Sequence, residues 1–237
     1  MIQTIRSLLY LIGMAVLTII FGLLCLLTVI VPYEMRYKFI ILWSTLNIWW
    51  LRLTCGLKHD VIGKENIPDT PCIVMANHQS TWETMAIGTL FPPLTWVVKR
   101  ELLFIPLFGW GLALTHPIAL DRSAGKKAVD QLVEQGKKKL KKGRWILIFP
   151  EGTRTPPGVK RKFKAGGSIL AAQSGAPIIP VAHNSGTFWA RKQLTKKPGT
   201  IKVKIGPAIK SDGKTAAQIN QEVFNWISAE RDALESI

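Results

Sequence analysis

The stretch Cys72-Ile73-Val74-Met75-Ala76-Asn77-His78-Gln79-Ser80-Thr81-Trp82-Glu83 sets five apolar residues directly against seven that are mostly polar. A short apolar run bounded by Pro71 on one side and polar residues on the other has the length and composition of a strand. Comparable runs recur at Thr95–Val98, Pro117–Leu120, Trp145–Phe149 (WILIF), Pro177–Ala182 (PIIPVA) and Ile201–Ile205. Helical patterns lie between and after them. Ser123–Lys142 carries Ala128, Leu132, Val133 and Leu140 on one side and stops at Gly143, Gly166–Ser174 is shorter, and Thr215–Glu235 is amphipathic. Strands alternating with helices over residues 58–237 predict an α/β domain with a mixed, mainly parallel sheet flanked by helices. In such sheets ligands gather at the carboxyl ends of the strands, which draws attention to the polar segments directly after CIVMA and WILIF.

Composition narrows the rest. The chain has 237 residues, enough for one compact domain and a modest appendage. With 48% hydrophobic and 19% charged residues and a mean hydropathy of +0.19, it is neither disordered nor collagenous, and it contains a candidate lipid-contacting segment. A net charge of +16 and a pI near 10.0 point to an anionic partner: nucleic acid, an acidic membrane surface or a phosphorylated substrate. Cys25, Cys55 and Cys72 show no CxxC spacing, so neither a disulfide framework nor a cysteine zinc site is expected, and a reducing compartment fits.

The lipid-contacting segment is N-terminal. No residue from Ser7 to Tyr33 is charged, and a helix over 8–31 reaches roughly 36 Å, enough to cross a bilayer. Phe39–Leu51 (FIILWSTLNIWWL), bracketed by Arg36, Lys38 and Arg52, is shorter and carries Trp43, Trp49 and Trp50, which suit an interfacial helix. Residues 1–57 are therefore predicted as a two-helix membrane anchor broken at Pro32, ahead of a catalytic domain over 58–237. A cleaved signal peptide is the alternative, but the run exceeds an ordinary h-region and no A-x-A site comes after it. Positive charges after the run outnumber Arg6 before it, which puts the bulk of the protein on the cytoplasmic side. Four basic residues and Glu34 leave the anchor at +3, so residues 58–237 hold +13.

Two polar segments carry candidate chemistry. In Asn77–Glu83, a histidine and a carboxylate five positions apart can meet across a strand-to-helix turn, the carboxylate accepting Nδ1–H and leaving Nε2 as a base. No G-x-S-x-G elbow occurs, so the hydroxyl that such a pair activates would come from a substrate. The same residues also form a capping box, Ser80 as N-cap and Glu83 reaching back to its amide, and a Glu83 so committed has less to offer His78. Phe149-Pro150-Glu151-Gly152-Thr153-Arg154-Thr155 comes at the end of WILIF. Gly152 lets backbone approach a ligand and Arg154 offers a charged fork for phosphate oxygens, although a solvated loop has the same composition.

NHQSTWE and FPEGTRT, in this order and about 70 residues apart, resemble the motifs of the glycerolipid acyltransferases, most closely the bacterial 1-acyl-sn-glycerol-3-phosphate acyltransferases. The resemblance covers roughly residues 60–210. It departs from the family's His-x4-Asp pattern at Glu83, one methylene longer. It implies His78 and Glu83 as catalytic residues, and Arg122 (in HPIALDR, 116–122), Glu151, Gly152, Thr153 and Arg154 at the substrate phosphate. Pro177, Ile179 and Pro180 (in APIIPV, 176–181) are implied in shaping the acyl site, with Lys99 and Phe163–Gly166 adding positive potential. The implied reaction moves an acyl group from acyl-CoA or acyl carrier protein to the sn-2 hydroxyl of lysophosphatidate, with no metal or other cofactor, at a bacterial inner membrane.

Other signals are weaker. His59, His116 and His183 have no partners at metal-ligand spacing and are expected to be structural or exposed. Lys137–Lys142 (KKKLKK) lies on a predicted helix as a solvated face that adds attraction to an anionic leaflet. Trp82, Trp96, Trp110 and Trp145 are core residues by size, or the wall of an acyl tunnel. An acyltransferase for another lysolipid is the nearer rival. A membrane-tethered basic module that binds acidic lipid or nucleic acid is the remoter one, and no nucleic-acid-binding pattern is visible.

Overall fold

The computed structural model describes residues 1–236. Helix α1 (Ile2–Leu24) runs into a 3-10 segment, Cys25–Ile30, and α2 (Tyr33–Cys55) precedes strand β1 (Leu57–Ile62). Strand β2 (Ile73–Ala76), α3 (Trp82–Leu90), β3 (Leu94–Lys99), α4 (Phe108–Leu114), β4 (Ile118–Leu120) and α5 (Lys126–Lys141) come next. The chain continues with β5 (Trp145–Ile148), α6 (Gly166–Ser174), β6 (Ile178–His183), the single turn α7 (Ser185–Phe188), β7 (Gly199–Ile205) and α8 (Ala216–Glu235).

The seven strands form one sheet in the order β1-β7-β6-β2-β5-β3-β4, parallel at every pairing except β6 with β7. This is the mixed, mainly parallel α/β sheet expected from the alternation of elements. Strand β2 is central. Ile73 and Met75 point into one core with Leu132, Leu170, Ile219 and Val223 from α5, α6 and α8, and Val74 and Ala76 into the other with Tyr10, Leu51 and Trp82 from α1, α2 and α3. A strand covered on both faces must be apolar at every position, which is why CIVMA shows no alternation. The alternating Leu57-Lys58-His59-Asp60-Val61 of edge strand β1, by contrast, is half exposed.

The N-terminal helices differ from expectation. The first begins at Ile2 rather than 8, because a single Arg6 does not stop a helix, and among the described residues Ile2–Ile30 is the one helical stretch long and apolar enough to cross a membrane. The second is not a short interfacial helix over 39–51. It spans 23 residues, keeps Lys38 and Arg52 exposed on its outer face, and ends on Gly56, whose φ of +67° supplies a left-handed cap. Tyr37 Oη accepts a hydrogen bond from Leu94 N–H at 3.0 Å, and Tyr37, Ile48, Leu51 and Cys55 belong to the sheet's own core. The hydrophobic core therefore runs straight across residue 57.

Helix α1 is fastened to α2 and the domain by polar contacts. Trp50 Nε1 donates to Leu9 O at 3.3 Å, Lys196 N–H donates to Ser7 Oγ at 2.8 Å, and Tyr10 packs edge-on against Trp189, an aromatic contact worth about 1 kcal/mol beyond its area.

Candidate active site

Strands β2, β4 and β5 all deliver their carboxyl ends to one edge of the sheet. His78 lies two residues beyond β2, Arg122 two beyond β4, and Phe149–Thr155 leaves β5 directly. Register fixes this convergence, since Met75 pairs with both Ile148 and Pro180.

His78 Nδ1 lies 2.8 Å from Glu83 Oε1, and the imidazole stacks on Phe149 with ring centroids 4.4 Å apart. Glu83 is fully buried and accepts four further hydrogen bonds. Oε1 takes Gln79 N–H and Ser80 N–H, both at 2.7 Å, and Oε2 takes the hydroxyls of Ser80 at 2.7 Å and Ser185 at 2.9 Å. Burial acts to raise this carboxyl, but the hydrogen bonds, His78 first among them, outweigh it and hold the group well below the usual carboxylate range. Glu83 is thus a carboxylate. The cap and the histidine contact do not compete as the spacing suggested: Oε1 accepts from His78 and from the Gln79 and Ser80 amides together, while Ser80 Oγ accepts from Trp82 N–H at 2.9 Å. With Nδ1–H given to Glu83, Nε2 makes no protein hydrogen bond among the described residues and is available as a base.

His183 is structural, and neutral. Burial lowers its pKa, Nε2–H donates to Asn77 O at 2.8 Å and Nδ1 accepts from Ser185 N–H at 3.4 Å. Asn77 bonds the His183 backbone in both directions, which locks the ends of β2 and β6 together and brings Ser185 onto Glu83. Ser185 was missed from sequence. Its signal was position, immediately after PIIPVAHN at the same sheet edge as His78.

The segment after β5 holds the histidine as well as facing it. Glu151 Oε1 accepts His78 N–H at 3.1 Å, and Thr155 N–H donates to His78 O at 2.7 Å. Expected on the substrate phosphate, Glu151 instead turns inward: it is 2% exposed, burial raises its pKa, and Oε2 is buried without a partner. Gly152 has a φ of +71°, which a side chain would strain, and its carbonyl accepts from Arg122. Arg154 sits beside this turn with its guanidinium in no hydrogen bond or ion pair among the described residues, while Thr153 Oγ1 and Arg154 O receive Arg191 Nη1 at 3.4 and 3.5 Å.

Glu151→Ala is expected to lower kcat ten- to a hundredfold, the effect of freeing a buried amide worth about 1–3 kcal/mol, with little change in the KM of the acyl acceptor. Glu151→Gln, which keeps an acceptor for His78 N–H, should stay within a few fold of the parent. A rise in KM with kcat intact would return Glu151 to the substrate phosphate.

A cavity of about 300 Å³ joins these residues to the N-terminal helices. His78, Lys99, Arg122 and Arg154 form the polar part of its wall. The remainder is chiefly apolar: Phe21 and Cys25, Phe39, Ile41 and Trp43 from α2, Met85, Trp96, Val98, and Leu107, Phe108 and Leu112 around α4. Of the four tryptophans singled out, Trp96 lines it; Trp82 and Trp145 are core, and Trp110 is exposed. Pro177, Ile179 and Pro180 do not line it. Ile179 and Pro180 are buried within β6, because a six-residue central strand turns every side chain into one core or the other. Much of the apolar wall comes instead from the helices before residue 57, which the anchor reading had kept apart from the site.

The sequence profile of the Acyltransferase family matches residues 58–184, more than half of the chain. The chain is 45% identical to a 1-acyl-sn-glycerol-3-phosphate acyltransferase of Pseudomonas aeruginosa over 96% of its own length and 90% of the relative's. It is 36% identical to the enzyme of that name from Saccharomyces cerevisiae over 76% of this chain and 61% of the yeast protein. In fold it matches the crystal structure of the 1-acyl-sn-glycerophosphate acyltransferase PlsC from Thermotoga maritima, with a TM-score of 0.81 over 98% of this chain and 96% of that one, at 24% identity. An enzyme with a histidine–glutamate pair at a sheet edge and this degree of likeness to the Pseudomonas relative, the chain belongs to the acyltransferase family, among the 1-acyl-sn-glycerol-3-phosphate acyltransferases.

Proposed function

We propose that the chain moves an acyl group from a thioester, acyl-CoA or acyl carrier protein, to the sn-2 hydroxyl of lysophosphatidate, giving phosphatidate and a free thiol. The observation that carries this is the meeting, in one cavity wall, of a base with a free Nε2, two guanidinium groups and an apolar surface of acyl-chain size. The names of the relatives supply the acceptor. In the reaction, His78 Nε2 takes the hydroxyl proton as the oxygen attacks the thioester carbonyl, and Glu83 stabilises the imidazolium. Collapse of the tetrahedral intermediate breaks the C–S bond, and the proton on His78 passes to the departing sulfur. Arg154 and Arg122 hold the phosphate, and the apolar wall holds acyl carbons, so that orientation contributes much of the rate. No metal or cofactor beyond the thioester is drawn on, because a thioester is already an activated electrophile.

Domain and location form part of the proposal. Helix α1 and the 3-10 segment after it lie in a bilayer, supported by the 29-residue apolar stretch Ile2–Ile30 and by exposed Ile12, Val16, Ile19, Leu23 and Leu27. The catalytic edge of residues 58–237 faces the cytoplasmic leaflet of a bacterial inner membrane, supported by the basic residues that come after the apolar run.

The test is transfer of labelled acyl groups to lysophosphatidate by the full chain in detergent, with each thioester in turn. Arg154→Gln is expected to raise the KM for lysophosphatidate about ten- to a hundredfold, the loss of one or two charge-assisted hydrogen bonds. Acylation of a lysolipid without a terminal phosphate at the same kcat/KM, indifferent to Arg154→Gln, would transfer the assignment to another lysolipid.

A further inference from the structure

Four cations gather around His116, with Glu34, beside Tyr33, the one carboxylate that faces them among the described residues. Arg36 of α2 brings Nη2 to 3.2 Å from His116 Nε2, and Lys139 of α5 donates to His116 O at 2.9 Å. Arg144 lies flat over Tyr33, its guanidinium carbon 3.6 Å from the ring centre, and the Tyr33 and His116 rings are 5.7 Å apart. Lys142 stands close enough for its field to act on the imidazole with those of Lys139, Arg36 and Arg144, and burial and these charges together lower the His116 pKa. A neutral His116 is what lets Nε2 accept from Arg36.

Among the described residues none of the four cations is in an ion pair, although the surface elsewhere pairs Lys138 with Glu134 and Arg100 with Asp121. Arg36 Nε is buried and has no partner among the described residues. Arg36, Lys139 and Arg144 are each held by a neutral group, a ring nitrogen, a carbonyl and an aromatic face in turn. Positive groups collected and oriented in this way repel one another, and a phosphate with several acceptor oxygens relieves that repulsion while filling their unused N–H forks. None of these side chains lines the catalytic cavity.

The neighbourhood selects the kind of phosphate. Leu27 and Ile30, in the 3-10 segment between α1 and α2, and Met35, in the first turn of α2, are 71%, 92% and 60% exposed, near Tyr33 and Arg36 in the chain. Apolar side chains exposed next to a cluster of cations match a lipid, with acyl chains at the first and a headgroup at the second. We propose that Arg36, Lys139, Lys142 and Arg144 bind the headgroup phosphate of an anionic phospholipid at the bilayer surface, a site separate from the reaction centre. The inference rests on the membrane placement above only in taking the α1–α2 turn to face lipid. It absorbs part of the KKKLKK run, whose Lys139 reaches the His116 carbonyl while Lys138 pairs with Glu134 on the solvated face.

Native mass spectrometry of the full chain released from nonionic detergent tests it, with phosphatidylglycerol and phosphatidylcholine of the same acyl chains as probes. The wild type and an Arg122→Gln/Arg154→Gln variant are both expected to retain phosphatidylglycerol in preference to phosphatidylcholine. Arg36→Gln/Lys139→Gln/Arg144→Gln should weaken that retention about a hundredfold, at about fivefold per basic residue removed. Lys142→Gln, which alters an exposed side chain and leaves the core untouched, should weaken it about fivefold and decides the matter if the triple variant does not fold. Equal retention by the Lys142 and triple variants would overturn the proposal, as would equal retention of phosphatidylcholine. Loss in the Arg122/Arg154 variant alone would assign the lipid to the reaction site, and displacement by inorganic phosphate at equal concentration would make the site one for free phosphate. Because lipid retention is read without turnover, failure of the acyl-transfer assay leaves this result intact.

Discussion

Replacing His78 with alanine should cut turnover about 10³-fold or more while leaving a folded protein. General base catalysis by a positioned side chain contributes about 10²- to 10⁴-fold, and in the proposed reaction the imidazole also aligns the acceptor hydroxyl. The fold should survive because Glu83 retains the Gln79 and Ser80 amides and both serine hydroxyls when the imidazole is gone. What is lost locally is the stack on Phe149, at the wall of a cavity that already exists. Labelled acyl transfer, measured alongside thermal unfolding, checks both halves. Activity within tenfold of wild type in a folded His78→Ala protein would remove His78 as the base.

Much of this site was legible in the sequence, for a physical reason. A strand buried on both faces has to be wholly apolar, so the polar residues after CIVMA and WILIF stand out, and a parallel sheet collects such strand ends at one edge. His78, Glu83 and Arg154 stand out in that way, whereas Arg122, after β4, came only from the family resemblance. The partners that hold them were harder to see, because their roles depend on registers between distant strands. Ser185 reaches Glu83 only because β6 pairs with β2, and Glu151 meets the His78 amide only because β5 does.

The helices before residue 57 were misjudged for a different reason. Hydropathy separates apolar helices from a soluble domain but does not say which face of a helix packs inward, and α2 gives one face to the sheet core and another to the cavity. Strand β1 was passed over because Lys58, His59 and Asp60 interrupt it, which an edge strand with one open face tolerates. Ile179 and Pro180 of the APIIPV block fail to reach the cavity through the same central-strand geometry that made CIVMA conspicuous, while Pro177 lies half-buried just before β6. Burial on both sides leaves Ile179 and Pro180 no face to offer a ligand.

Glu83 permits a test that separates charge from shape. In Glu83→Gln the carbonyl oxygen can take the Oε1 position and continue to accept from His78, Gln79 and Ser80, while the amide nitrogen faces Ser80 Oγ and Ser185 Oγ, hydroxyls that can turn to accept. The fold should hold. The imidazolium that forms on His78 loses its counter-charge, and turnover should fall by about 10²- to 10⁴-fold, the upper figure being that of the corresponding acid-to-amide change in a serine protease triad. Glu83→Ala strands two buried amides and two hydroxyls at once and should destabilise the protein by several kcal/mol, each unsatisfied group costing about 1–3 kcal/mol. Acid supplies the complementary measurement. The folded pKa of Glu83 lies below its ordinary 4.5, so its contribution is full above that value and is lost as pH falls toward the depressed one. The difference in Tm between wild type and Glu83→Gln should therefore be constant near neutrality and shrink as pH drops below about 4.5. A gap that stays constant into acid would mean that Glu83 folds as a neutral acid. His78 would then lack a permanent counter-charge, and the pair would be a helix cap that happens to touch a histidine.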